Sequence, residues 1–160
     1  MRRSAGILLF RRDADGPKVL LVHPGGPFWA RKDAGAWSMP KGEYAEGEAA
    51  EMAARREFAE ETGMRAQGPL LPLGDLRQPG GKIVTGFALE GDFDVAALRS
   101  NDFEMEWPPR SGRMRAFPEV DRGAWLSLPL AREKITAGQM PFLDRLEELL
   151  AGPAGIEGPA

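Results

Sequence analysis

Residues 42–64 read GEYAEGEAAEMAARREFAEETGM, and this stretch decides how the rest of the chain is read. From Gly47 to Thr62 the composition turns to Ala, Glu, Arg and Met, which are strong helix formers, and Gly63 stands where a helix needs its left-handed C-terminal residue. The pattern predicts a helix over 47–62. At roughly 100° per residue, Glu57, Glu60 and Glu61 fall within an arc of about 100° on that helix. Three carboxylates so close repel one another at neutral pH unless a cation lies among them. Oxygen donors without sulfur or imidazole suit Mg²⁺, with Mn²⁺ as an alternative. Arg56 precedes Glu60 by four residues and lies about two turns from Glu48, within pairing reach of either. The segment lacks a continuous stripe of large apolar residues, so packing alone does not explain it.

The spacing of the same residues, Gly42, five residues, Glu48, seven residues, then Arg56–Glu57–Phe58–Ala59–Glu60–Glu61–Thr62–Gly63–Met64, resembles the Nudix signature G-x5-E-x7-R-E-U-x-E-E-x-G-U, in which U is a bulky apolar residue. The resemblance implies an α+β fold, an α/β/α sandwich whose mixed central sheet is flanked by the signature helix and a C-terminal helix. It also implies Mg²⁺-dependent hydrolysis of a phosphoanhydride. Glu57, Glu60 and Glu61 would be the catalytic carboxylates and metal ligands, with the carbonyl of Gly42 completing the shell. Glu48 and Arg56 would be a supporting pair.

Working outward, Trp37–Ser38–Met39–Pro40–Lys41–Gly42 leads into the signature. Pro40 excludes a helix there and Gly42 permits a tight turn. Lys41 is a point charge beside the expected phosphate site, balanced against the plain alternative of a surface lysine. The Trp-x-x-Pro-Lys-Gly form is similar to the branch of the family acting on dinucleoside and diphosphoinositol polyphosphates. The segments His23–Trp29 and Asn101–Pro109 also resemble a group of bacterial NTP pyrophosphohydrolases. In the family the proton acceptor is either a signature carboxylate, with Glu57 first, or an acid from a separate loop, for which Glu104, Glu106, Glu119 and Asp121 are the candidates. His23, Trp29, Lys82 and Glu106 complete the substrate-binding candidates, with Phe28, Phe103 and Trp107 as further aromatics for base stacking and Lys32 and Arg115 as further phosphate partners. For each of these the competing reading is ordinary packing or a solvated surface charge.

The remaining elements follow from patterning. Ser4–Phe10 and Lys18–His23 are apolar runs around a turn at 13–17, and read as a hairpin. Leu70–Leu76, Lys82–Glu90, Phe103–Trp107, Arg113–Phe117 and Gly123–Leu128 are strand candidates. Met140–Leu150 is an amphipathic helix, and the long segment 24–46 reads as a functional loop. Residues 1–150 form one expected domain, and the Gly- and Pro-rich 151–160 an expected disordered tail. The 160 residues contain no cysteine, which excludes disulfides and thiolate metal sites. The net charge of −3 disfavours a polymeric nucleic-acid partner. No run is long enough to span a bilayer. The expectation is a cytoplasmic monomer or homodimer acting on a small phosphorylated nucleotide. The first reading is a nucleoside polyphosphate hydrolase, with a dinucleoside polyphosphate as one substrate form and a (d)NTP pyrophosphatase as rival. A non-catalytic nucleotide sensor is the alternative of another class, although such modules lose signature carboxylates and none is lost here. An isomerase of the isopentenyl diphosphate kind is set aside because it would need a cysteine.

Overall fold

The computed structural model describes residues 2–152. Its frame is a six-stranded mixed sheet built around one long strand, β1 (Arg3–Asp13). Asp13 pairs with Gly16 across a two-residue turn, which folds β1 back antiparallel to β2 (Gly16–Pro24). The first half of the same edge of β1 is taken by β3 (Lys41–Tyr44), antiparallel, with Gly6 opposite Lys41 and Ala5 opposite Gly42. The other edge pairs in parallel with β5 (Ile83–Glu90), which also carries β4 (Leu71–Arg77). β8 (Val120–Ser127) closes the far side against β2, giving the order β4-β5-β1-β2-β8. A separate two-stranded ribbon is made by β6 (Asp102–Glu106) and β7 (Met114–Pro118).

The alternation of side chains along β1 divides the core into two layers. Ala5, Ile7 and Leu9 face one side, where Ala53, Ala54 and Phe58 of α1 (Ala50–Thr62) cover them. Leu8 and Phe10 face the other, under α2 (Leu128–Lys134) and α3 (Met140–Ala151), whose Phe142, Leu143 and Leu146 are buried there. The α/β/α sandwich is therefore as the signature implies. Small residues admit close crossings: a Cβ on Gly6 would lie 2.6 Å from both the Cβ of Lys41 and the carbonyl oxygen of Pro40.

Three assignments need correction. Lys41–Tyr44, within the expected loop, is a strand because β1 offers it a free edge. Leu128 opens a helix instead of ending a strand: Ser127 Oγ accepts from the Leu130 backbone N–H at 3.4 Å and Pro129 occupies the first turn. The helix predicted from Gly47 begins at Ala50, and its cap, Ala49, makes no side-chain capping bond. Of the expected tail 151–160, Ala151 ends the last helix, and residues 153–160 lie outside the described residues. Among the described residues no helix is long and apolar enough to cross a membrane.

Candidate active site

The C-terminal half of α1 carries the carboxylates, and backbone contacts hold it from both sides. Gly63 closes the helix at φ 84°, its N–H bonding to the Ala59 carbonyl at 2.8 Å. Beyond it, the N–H of Arg99 bonds to the Thr62 carbonyl at 2.9 Å and the N–H of Asn101 to the Glu60 carbonyl at 2.8 Å. These satisfy carbonyls that a helix end leaves without internal partners. The carbonyl of Asn101 then accepts from the N–H of Glu119 at 2.8 Å, and the carbonyl of Glu119 from the N–H of Gly25 at 2.9 Å. One backbone relay thus joins the end of α1, the β7–β8 junction and the start of the 25–35 loop. Gly25 is required at its position, since a Cβ there would lie 2.0 Å from the Pro118 carbonyl oxygen.

Arg56 is the internal counter-charge. Its Nε and Nη2 each meet a Glu48 carboxylate oxygen at 3.0 Å, a bidentate pair. Its Nη1 donates to Glu57 Oε2 at 2.7 Å and to Glu60 Oε2 at 3.4 Å. Glu57 is 9 % exposed and lies flat against Gly42, where an added Cβ would fall 1.9 Å from Glu57 Oε1. Gly42 is thus a seat that only a residue without a side chain can form. Glu61 accepts from the backbone N–H of Lys41 at 3.3 Å. Lys41, Glu61 and Glu119 share a cleft of about 120 Å³ with Val22, Pro24, Ser38 and Val120.

The electrostatics are those of acids crowded on partly dry ground. Burial pushes Glu61 up to about 8, against the pull of Lys41 and with further push from Glu119 and Glu57. Glu57 is raised by burial, opposed by Arg56 and reinforced by Glu60. Glu119, on the solvent-facing rim, is raised by partial desolvation and then by Glu60. Lys41 is lowered by burial and by Lys82. Carboxylates from α1 and from the β7–β8 junction therefore act on one another, as like charges in a shared site do.

Other candidates sit elsewhere. His23 points into the protein: it is fully buried, Nδ1 meets Asp121 Oδ1 at 3.0 Å and Nε2 meets the Lys32 carbonyl at 2.6 Å. Its ring packs edge-on against Trp37 at 5.2 Å, so it fastens the loop from within. The reason is its place in β2, whose residues 19–23 are buried throughout. Glu106 is at the end of the ribbon away from Glu119, where its Oε2 accepts from the Gly112 N–H at 2.6 Å and closes the turn. Trp29 is 40 % exposed with Lys32 Nζ 5.2 Å from its ring. Phe28 is exposed and packs edge-on to Trp107 at 5.5 Å, while Phe103 pairs with Phe117 across the ribbon. Lys82 borders a separate basic pocket. Of the four acids that the sequence offers outside the signature, Glu119 is the one that lines the cleft with Glu61 and Lys41.

Comparison with known proteins agrees with this architecture. The family model described as NUDIX domain matches residues 1–146. The chain belongs to the Nudix family, and by class it is a pyrophosphohydrolase. Among solved structures, the Caenorhabditis elegans Ap4A hydrolase in a binary complex is similar at 21 % identity and a TM-score of 0.64, covering 98 % of this chain and 100 % of that one. The NUDIX domain of Shewanella oneidensis NrtR, complexed with ADP-ribose, is similar at 18 % identity and a TM-score of 0.65, covering 93 % and 88 %. The MutT protein from Methanosarcina mazei Go1 is similar at 21 % identity and a TM-score of 0.62, covering 94 % and 96 %. A search of curated protein sequences finds no match.

Proposed function

We propose that the chain is a cytoplasmic, Mg²⁺-dependent hydrolase of a nucleoside polyphosphate. The observation that carries this reading is the cleft that Glu61 of α1 shares with Lys41 and with Glu119 from the β7–β8 junction, with Glu57 and Glu60 near enough to act on these acids. The donor set fits a hard divalent cation: all oxygen, with Glu57 raised by burial and by its acidic neighbours Glu60 and Glu119, and seated against a glycine that leaves no room for a side chain. Among the described residues no three acidic or histidine side chains already stand gathered at one point, in keeping with Arg56 holding Glu57 and Glu60. Glu57, Glu60, Glu61 and the Gly42 carbonyl would hold the cation. When bound, it supplies charge neutralisation for the phosphates and acidification of the attacking water.

The chain's own groups do the rest. Arg56, fixed by Glu48, orients Glu57 and Glu60. Lys41 presents its ammonium to the phosphate chain. Glu119, whose carboxylate makes no side-chain hydrogen bond among the described residues, is the acid left free to accept the proton of the attacking water, a duty otherwise open to Glu57. Trp29 and Phe28, exposed on the loop that the relay ties to Glu119, form the rim on which a base would stack. The Trp37–Gly42 stretch and the similarity to Ap4A hydrolase favour a dinucleoside polyphosphate, and the similarity to MutT keeps a (d)NTP as the second reading.

Purified protein with Mg²⁺ is expected to release a nucleotide from at least one member of a panel of dinucleoside polyphosphates, (d)NTPs, sugar nucleotides and inositol pyrophosphates. Running the reaction in ¹⁸O-water and separating products by ion exchange identifies both substrate and phosphorus attacked. Absence of turnover across the whole panel would favour the sensor reading instead.

A further inference from the structure

Away from the carboxylates, Arg2, Arg77, Pro79, Gly80, Gly81 and Lys82 line an open basin of about 490 Å³. Three cations from the start of β1, the end of β4 and the head of β5 converge there, brought together by sheet pairing: Arg77 lies opposite Ile83, and the Ile83 N–H bonds to the Arg2 carbonyl at 3.1 Å. Among the described residues the counter-charge in contact with them is Glu43, 3.4 Å from Arg2 and 3.7 Å from Lys82. One exposed carboxylate shared between an exposed Arg2 and a half-buried Lys82 neutralises only part of three positive charges. The basin therefore has an excess of positive charge in a protein whose net charge is −3.

The basin is built and anchored. The turn that forms its lip is closed by the Gln78 N–H to the Lys82 carbonyl at 2.7 Å and the Gly81 N–H to the Gln78 carbonyl at 3.0 Å. Gln78 Nε2 donates to the Gly138 carbonyl at 3.0 Å, which pins the turn to the segment leading into α3. Gly80 and Gly81, at φ 89° and 91°, leave the lip open, with no atom within 4 Å of where a Cβ would stand.

The basin also communicates with the carboxylate site. Lys41 and Glu43 stand two residues apart on β3, so their side chains share one face of the sheet, and Glu43 reaches Lys82 at 3.7 Å and Arg2 at 3.4 Å. Cations thus run from Lys41 through Lys82 to Arg77 and Arg2, leading away from the bond-breaking centre. Two guanidinium groups and an ammonium around an open basin are the chemistry that binds multiply charged phosphate, and arginine does so with two donors at once.

From this we infer that the Arg2–Arg77–Lys82 basin is a second phosphate subsite, which receives phosphoryl groups remote from the bond that is cleaved. It rests on the hydrolase reading for its link to turnover, and it selects substrates that carry more phosphate than a nucleoside triphosphate presents. A polyphosphate bridge and a ring bearing several phosphates share this chemistry.

Isothermal titration with inorganic tripolyphosphate in EDTA tests the basin without any turnover. Wild-type protein is expected to bind, and Arg77→Gln/Lys82→Gln to bind about tenfold more weakly or worse, with Arg77→Lys partly restoring affinity. Equal binding by wild type and double variant, or no binding by wild type, would overturn the subsite whatever the enzyme's activity. The kinetic arm compares KM values. The double variant should raise KM for a dinucleoside tetraphosphate, or for a diphosphoinositol polyphosphate, at least about tenfold more than KM for ATP. The substrate showing that selective rise identifies the source of the phosphates. An equal rise for all three would refute a subsite for remote phosphate, and near-equal circular dichroism melting curves would separate this from misfolding.

Discussion

At the scale of single residues, Glu119 and Gly42 do opposite things for the same cluster. Glu119 arrives from outside the signature and among the described residues its carboxylate has no side-chain hydrogen bond or ion pair, so its removal should strike the chemistry and spare the fold. Glu119→Gln is expected to lower kcat by about 10²- to 10⁴-fold, the usual worth of a positioned proton acceptor, with a melting temperature near wild type. Steady-state kinetics beside a thermal melt decide the point; retained activity would return the proton-accepting duty to Glu57. Gly42 instead supports by having nothing to offer. Gly42→Ala places a methyl 1.9 Å from Glu57 Oε1, so either β3 or the carboxylate must move. The overpacking should cost about 1–3 kcal/mol and reduce Mg²⁺ affinity, readable by denaturant unfolding and metal titration.

At the scale of elements, α1 works because its two faces do different jobs. Ala53, Ala54 and Phe58 bury against the sheet, and their small size, with one large ring, lets the helix sit close. Phe58→Ala should therefore cost about 3–5 kcal/mol and destabilise the site with the fold. The relay at the helix end makes a sharper prediction. Asn101 uses its backbone N–H and carbonyl to link the Glu60 carbonyl to the Glu119 N–H, and the chemical identity of its side chain is not part of that link. Asn101→Ala should leave stability within about 0.5 kcal/mol and activity close to wild type. Asn101→Pro removes the N–H, at a cost of about 1–3 kcal/mol, and should slow turnover well beyond what stability explains. Similar kcat values for the two variants would show that the relay does not place Glu119.

At the scale of the whole molecule, the loop over the site is tied to the opposite layer. Asp33 accepts from Lys134 at the end of α2 and from Trp37 Nε1 at 2.8 Å, and these contacts, Lys134 first, hold its carboxyl below its ordinary value of 3.8. A group whose folded-state pKa is lowered contributes stability that is complete above its unfolded value and vanishes as pH falls through the folded one. Stability should decline on acidification below about pH 4. Asp33→Asn should flatten that limb, as melting curves between about pH 5 and pH 2 would show. A flat limb already in wild type would mean the loop is not tied down in this way.

Much of this could be read locally. Helix chemistry and the spacing of Glu57, Glu60 and Glu61 depend on 3.6 residues per turn and nothing further away, so the sequence alone determined the acidic face, while the supporting pair Arg56 and Glu48 and the α+β class followed from the resemblance of the 42–64 stretch to the Nudix signature. Strand existence was legible for the same reason, from runs of apolar residues. What only the tertiary structure decided is whatever joins distant segments. It chose Glu119 from four equivalent acids, turned His23 inward to hold a loop, gave Lys41–Tyr44 an edge to pair with, and collected Arg2, Arg77 and Lys82 in one basin. Such meetings depend on which strand edges and carbonyls remain unpaired once the sheet has formed, a balance over the whole chain that no short window of sequence contains.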